Sequence, residues 1–166
     1  IENLTKNQYK VLIRDNDSDL NDYLNLKENL KDLTNVKLYR IENFKYRGSM
    51  AHSMGVDDLI QKIDTEYGAL LDADATFLIK NWDEILLNQI NEEYPLIGTE
   101  ASMGKKRKPR KYPGPYAIMF KTDIIKGLNV DFTKINPKEG RDTGYQLGKK
   151  LYESGHKAKL LEMKNT

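Results

Sequence analysis

Two carboxylates one residue apart, Asp72 and Asp74, follow the apolar run Gly68-Ala69-Leu70-Leu71, with the small residues Ala73 and Ala75 between and after them. The run reads as a short strand, so the acidic pair falls where a strand gives way to a turn. Where the backbone turns, both carboxylates can approach one hard divalent cation. Diphosphate oxygens and water would complete its shell, a donor set that suits Mg2+ or Mn2+. An Asp-x-Asp tripeptide also occurs as a solvated acidic turn, so its meaning rests on its surroundings. A third carboxylate, Asp142, stands before a helix expected from about Thr143. There the helix dipole stabilises its charge, and the side chain can serve as N-cap.

These groups need elements to position them. Tyr9 to Arg14 reads as a buried strand that stops at the polar turn Asp15-Asn16-Asp17-Ser18. Ser18 suits the N-cap of a helix in which Leu20, Tyr23, Leu24 and Leu30 recur at helical spacing. A second strand is expected at Val36 to Ile41, then a helix after Gly48 through Ala51, Val56, Leu59, Ile60 and Ile63, then the strand that ends at Asp72. Asn81 and Glu84 have the spacing of a capping box, ahead of an apolar face made by Trp82, Ile85, Leu86 and Ile90. Further strands are expected at Tyr94 to Gly98 and Tyr116 to Lys121. A short helix capped by Thr122 and ended by Gly127 follows, then a helix from Thr143 to Ser154 ended by Gly155, and a last strand at Ala158 to Met163. Strands alternating with helices imply an α/β protein with a mostly parallel central sheet flanked by helices, and such sheets bind ligands beyond the carboxyl ends of their strands. Asp15, Asp72 and Asp74 all fall at such ends.

The chain of 166 residues, 39% hydrophobic and 31% charged, fits one globular domain spanning 1–166, with no internal repeat or dividing linker. No apolar run approaches the roughly 20 residues a membrane helix needs. The absence of cysteine excludes a disulfide framework and thiolate metal sites and accords with a cytoplasmic protein, one that can be peripheral to a membrane. The net charge of +2 gives no global signal for nucleic acid, but residues 101–113 hold a basic run from Gly104 through Lys111. That run admits three readings: a solvated flexible loop, a lid that neutralises a donor diphosphate or an anionic acceptor, and a surface for nucleic acid or an anionic membrane.

Asp15-Asn16-Asp17-Ser18, then Gly48-Ser49-Met50-Ala51-His52-Ser53-Met54-Gly55, then Tyr67 through Asp74 resemble the family 2 glycosyltransferases in residue type, order and spacing. The likeness extends across most of the chain. It implies the nucleotide-sugar-binding fold called GT-A, with a UDP- or GDP-sugar as donor and an unidentified hydroxyl as acceptor. Asp15 matches the family's base-contacting acid. Asp72 and Asp74 match the Asp-x-Asp that holds the ribose and the metal-diphosphate. His52 and Ser53 stand where the family's second block has Arg and Asn, which puts His52 at a donor-contacting position with a different side chain. Arg141-Asp142-Thr143-Gly144 matches the acidic motif that supplies the general base of inverting members, so Asp142 inherits that role, alone or together with helix capping, and Glu139 is the neighbouring alternative; His156, just after Gly155, is a candidate for the third metal ligand that many members carry. The resemblance implies an opening strand that walls the nucleotide pocket, and the chain is expected to begin in the helix after it. A nucleotidyltransferase, which also gathers carboxylates around a metal, and a non-catalytic nucleotide-sugar or polyanion binder are the alternative classes.

Overall fold

The computed structural model describes residues 3–100, 112–135 and 143–161. Asp142, Glu139 and the basic run from Gly104 to Lys111 lie outside the described residues. The chain is an α/β protein in the order β1 (Val11–Asp15), α1 (Leu20–Leu30), β2 (Val36–Arg40), α2 (Gly48–Lys62), β3 (Tyr67–Leu71), α3 (Trp82–Leu87), β4 (Leu96–Glu100), β5 (Pro113–Lys121), α4 (Thr122–Gly127), α5 (Tyr145–Glu153) and β6 (Ala158–Leu161). Among the described residues no helix is long and apolar enough to cross a membrane.

The expected mostly parallel central sheet is instead two small sheets, one of them mixed. β1 and β2 form a parallel pair, while β3, β5, β4 and β6 form a second sheet in that order. β5 runs antiparallel to both β3 and β4, and β6 runs parallel to β4. The alternation rule failed at one place. No helical pattern separates β4 from β5, and a strand that follows another without a crossover helix returns antiparallel. β5 thereby inserts between β3 and β4, which keep a common direction.

The larger sheet carries the core. Leu96 lies opposite Phe120 across the β4–β5 ladder, and both are fully buried. They pack with Val56 and Ile60 of α2, Ile125 of α4, and Leu147 and Leu151 of α5 in one cluster. Burying each such side chain contributes about 1.5–3 kcal/mol. Ile97 and Met119 pair on the opposite face and are buried as well, so both faces of the central strands are covered. Gly68 exists for this packing: a Cβ there would lie 2.6 Å from Phe120 Cε2 and 2.9 Å from Ile63 Cδ1.

The smaller sheet is differently placed. In the β1–β2 ladder Val11 donates to Asn35 O and Asp15 O accepts from Ile41, so the backbone groups of Leu12 and Arg14 turn to the other edge. That edge pairs with no strand among the described residues, and neither does the edge of β3 carrying Tyr67, Ala69 and Leu71. α1 buries none of its residues, and Leu20 and Leu24 are exposed.

Three expected caps differ. Asp19, not Ser18, caps α1 by accepting from the Asn21 amide at 2.9 Å, because the Ser18 amide is drawn back to Asp15. Asn81 adopts a left-handed backbone with φ 58° and makes no side-chain cap bond, so the Asn81–Glu84 capping box does not form. Glu84 instead pairs with Lys6 at 2.8 Å, and the buried Asp83 accepts from the amides of Lys6 and Asn7, which fastens the N-terminal segment to α3. Trp82 stacks on Phe77 with ring centroids 3.5 Å apart, while Ile85 is exposed. Thr122 lies inside α4 after an N-cap at Lys121, and Asn129 rather than Gly127 takes the positive φ beyond it. Gly155 does close α5 with φ 83°.

Candidate functional site

The Asp72-Ala73-Asp74 turn is built directly onto the ladder. The Asp72 amide donates to Tyr116 O at 2.9 Å, the last backbone bond between the β3 and β5 chains. Asp72 O then accepts from the Ala75 amide at 3.0 Å, closing a four-residue turn with Ala73 and Asp74 at its corners. Asp72 is half-buried and Asp74 exposed. The two carboxylates are therefore held on one short turn at the carboxyl end of β3, as the sequence implied.

α2 brings the basic partner. Gly48 begins it with φ 56°, a left-handed conformation that favours glycine. One turn on, His52 Nε2 lies 3.2 Å from Asp72 Oδ1, with both side chains about one-third exposed. The next residue, Ser53, is fully buried and donates to Thr143 Oγ1 at 3.1 Å. Thr143 is itself buried and is the chain neighbour of Asp142. Two short contacts thus tie the β3 turn, α2 and the start of the α5 segment into one cluster.

The β1 end lies against the same helix. Asn16 Nδ2 donates to Ala51 O at 3.3 Å, and the Arg14 guanidinium donates to Met54 O and lies 5.2 Å from the Phe44 ring. Asp15, expected at the nucleotide base, has a carboxylate only 5% exposed; it accepts from Arg40 Nη1 at 2.9 Å and from the Ser18 amide at 3.3 Å. Asp17, with φ 67°, accepts from the Phe44 amide at 3.2 Å and lies 3.5 Å from Arg40 Nη2. In this structure Asp15 therefore shapes the loop, and Arg40, stacked 4.4 Å over the Tyr23 ring, is the hub that holds it. Among the described residues Asn16 Oδ1, Arg14 Nε and Arg40 Nε are buried and find no hydrogen-bond partner.

Of the residues singled out from sequence, His52, Asp72 and Asp74 share one cluster, and Asp15 sits at the neighbouring strand end. His156 is elsewhere, after α5, where its Nδ1 is 2.8 Å from Glu92 O. Among the described residues no three His, Asp or Glu side chains converge to hold a metal. A cation here would take Asp72 and Asp74 as its protein ligands, and two hard carboxylate oxygens with room for external oxygens fit Mg2+ or Mn2+. Sequence reasoning missed Arg14, Arg40 and the Ser53–Thr143 bond. The signal for the first two was present, since each is a cation within a strand-forming run, where an unpaired charge is costly. Nothing local marks the third, which joins residues 90 positions apart.

No protein-family model matches the chain, and no curated protein sequence matches it.

Proposed function

We propose that the chain is a glycosyltransferase of the GT-A type, resembling family 2, that moves a sugar from a nucleoside-diphosphate donor to a hydroxyl acceptor with inversion. The observation that carries this reading is the turn at the end of β3. It holds Asp72 and Asp74 together, sets Asp72 against His52, and lies two contacts from the chain neighbour of Asp142. A bound Mg2+ or Mn2+ on these carboxylates would neutralise charge on the donor diphosphate.

The protein's own groups have distinct tasks. Asp72 and Asp74 fix the diphosphate end of the donor, and His52 holds Asp72 in place. The loop of Asp15 to Ser18, braced by Arg40, walls the nucleoside side. The acceptor oxygen attacks the anomeric carbon as the bond from that carbon to the diphosphate breaks; its electron pair leaves with the nucleoside diphosphate, and the acceptor proton passes to Asp142. No covalent enzyme intermediate is required.

Thermal unfolding with UDP- and GDP-sugars, each with and without Mn2+, tests the reading. A ligand at a hundred times its dissociation constant stabilises the fold by about 2.7 kcal/mol, a readily measured shift. Stabilisation that needs both nucleotide and metal, with release of a nucleoside diphosphate on transfer, is the expected result. Release of pyrophosphate would instead identify a nucleotidyltransferase, and indifference to every nucleotide would defeat the proposal.

A further inference from the structure

We infer that a tyrosine-lined groove along α5 binds the rings of a neutral oligosaccharide, which serves as the acceptor. The acceptor role rests on the glycosyl-transfer reading above; the binding does not.

The groove is a cavity of about 650 Å3 between α5, the start of β6 and the residues before β4 and β5. Such a volume falls in the usual range for small-molecule sites. Tyr145, Lys149 and Tyr152 recur at the spacing of one helix face and form one wall. Tyr112 forms another by lying against Gly148, where a Cβ would sit 2.1 Å from Tyr112 Cδ1, so a larger residue would push the ring away. Tyr94 and His156 also line it.

Among the described residues the charges around the groove are matched. Lys149 lies 3.7 Å from Glu153, and Lys157 lies 2.6 Å from Glu93 and over the Tyr94 ring. An anionic ligand would have to displace these carboxylates. What lines the groove instead is a set of tyrosines, a residue type that joins an apolar ring to a polar tip. A pyranose ring has the same division, with C–H faces to stack and hydroxyls to hydrogen-bond. Tyr152 gives the clearest sign, because it is 78% exposed and makes no contribution to the core.

Position gives the length of the ligand. Tyr145 is two residues past Thr143, whose bond to Ser53 joins the Asp72 cluster, so one end of the groove adjoins the proposed site of transfer. Tyr152 lies about 10 Å further along the helix. A ligand that reaches from one to the other spans more than one ring.

The test is an NMR titration of the 15N-labelled chain with maltotetraose, cellotetraose and chitotetraose, without metal or nucleotide. At least one should shift the α5 amides saturably. Tyr152→Ala, at an exposed position, should weaken that binding roughly tenfold, and Tyr152→Phe should largely restore it. Asp74→Ala should bind the oligosaccharide as the parent does, which separates this site from the donor site. No saturable shift with any of the three, or binding undiminished in Tyr152→Ala, overturns the groove. Binding by a protein that takes up no nucleotide supports the groove and overturns only its role as acceptor site.

Discussion

Replacing Asp72 and Asp74 singly by alanine separates a ligand-holding role from a folding role, because the structure fixes what each carboxylate does for the fold. Asp74 is exposed at a turn corner, and its loss should leave stability within about 0.5 kcal/mol. Among the described residues the Asp72 side chain pairs with His52 at 3.2 Å, and a pair of that exposure contributes under about 1 kcal/mol. The bonds that form the turn, from Asp72 to Tyr116 and from Ala75 to Asp72, are backbone bonds and survive both substitutions. Donor binding should behave differently. With two protein carboxylates on the metal, losing either should weaken Mn2+-dependent binding of a UDP- or GDP-sugar by roughly a hundredfold, equivalent to about 2.7 kcal/mol. Urea denaturation measures the first quantity and titration calorimetry the second. Undiminished donor affinity in Asp74→Ala with Mn2+ present would refute the metal assignment. A loss of several kcal/mol of stability in either variant would show that the turn is a folding element and that the carboxylates belong to it.

Asp142→Asn should lower turnover by roughly a hundredfold or more while donor affinity stays near that of the parent, since an amide cannot accept the acceptor's proton; if Glu139→Gln is the variant that loses activity in steady-state assays, the base is Glu139. Gly68→Ala should cost about 1–3 kcal/mol in urea denaturation, because its Cβ would meet the fully buried Phe120 at 2.6 Å. Burial pushes the Asp83 carboxyl up, but hydrogen bonds from the amides of Lys6 and Asn7 and from the Asn7 side chain outweigh it and hold the folded value below 3.8. A depressed carboxylate contributes stability that is present above the unfolded value and lost as pH falls through the folded one. Stability followed by urea denaturation should therefore decline below about pH 4, and Asp83→Asn should be weaker at neutral pH with a shallower acid decline.

The elements were legible wherever local pattern decides. The apolar run before Asp72, the helix after Gly48 and the glycine stop at Gly155 were all readable because strand, turn and helix periodicities are short-range properties. Strand direction was not, since the position of β5 between β3 and β4 depends on which edges meet in space. The same limit hid the roles of Asp15 and Glu84. Each sits at a sequence position suited to one task, nucleotide contact or helix capping, yet each has a cation brought to it by a distant segment, Arg40 and Lys6 respectively. For the candidate site, the composition of the Asp72 turn was visible in one stretch of chain, whereas its bracing by His52, Ser53 and Thr143 arises only when three elements pack together.

The outward backbone groups of Leu12 and Arg14, and those of Tyr67, Ala69 and Leu71, have a consequence for how the protein behaves in a tube. Among the described residues each row pairs with no strand, and an extended segment that met it would gain a ladder of hydrogen bonds without needing complementary side chains. At high concentration the segment nearest to hand is another copy of the same chain. Self-association should then rise with protein concentration and resist added salt, since the attraction resides in peptide groups rather than in ion pairs. A lysine introduced for the exposed Ala69 would place charge at the β3 edge and favour the dispersed chain.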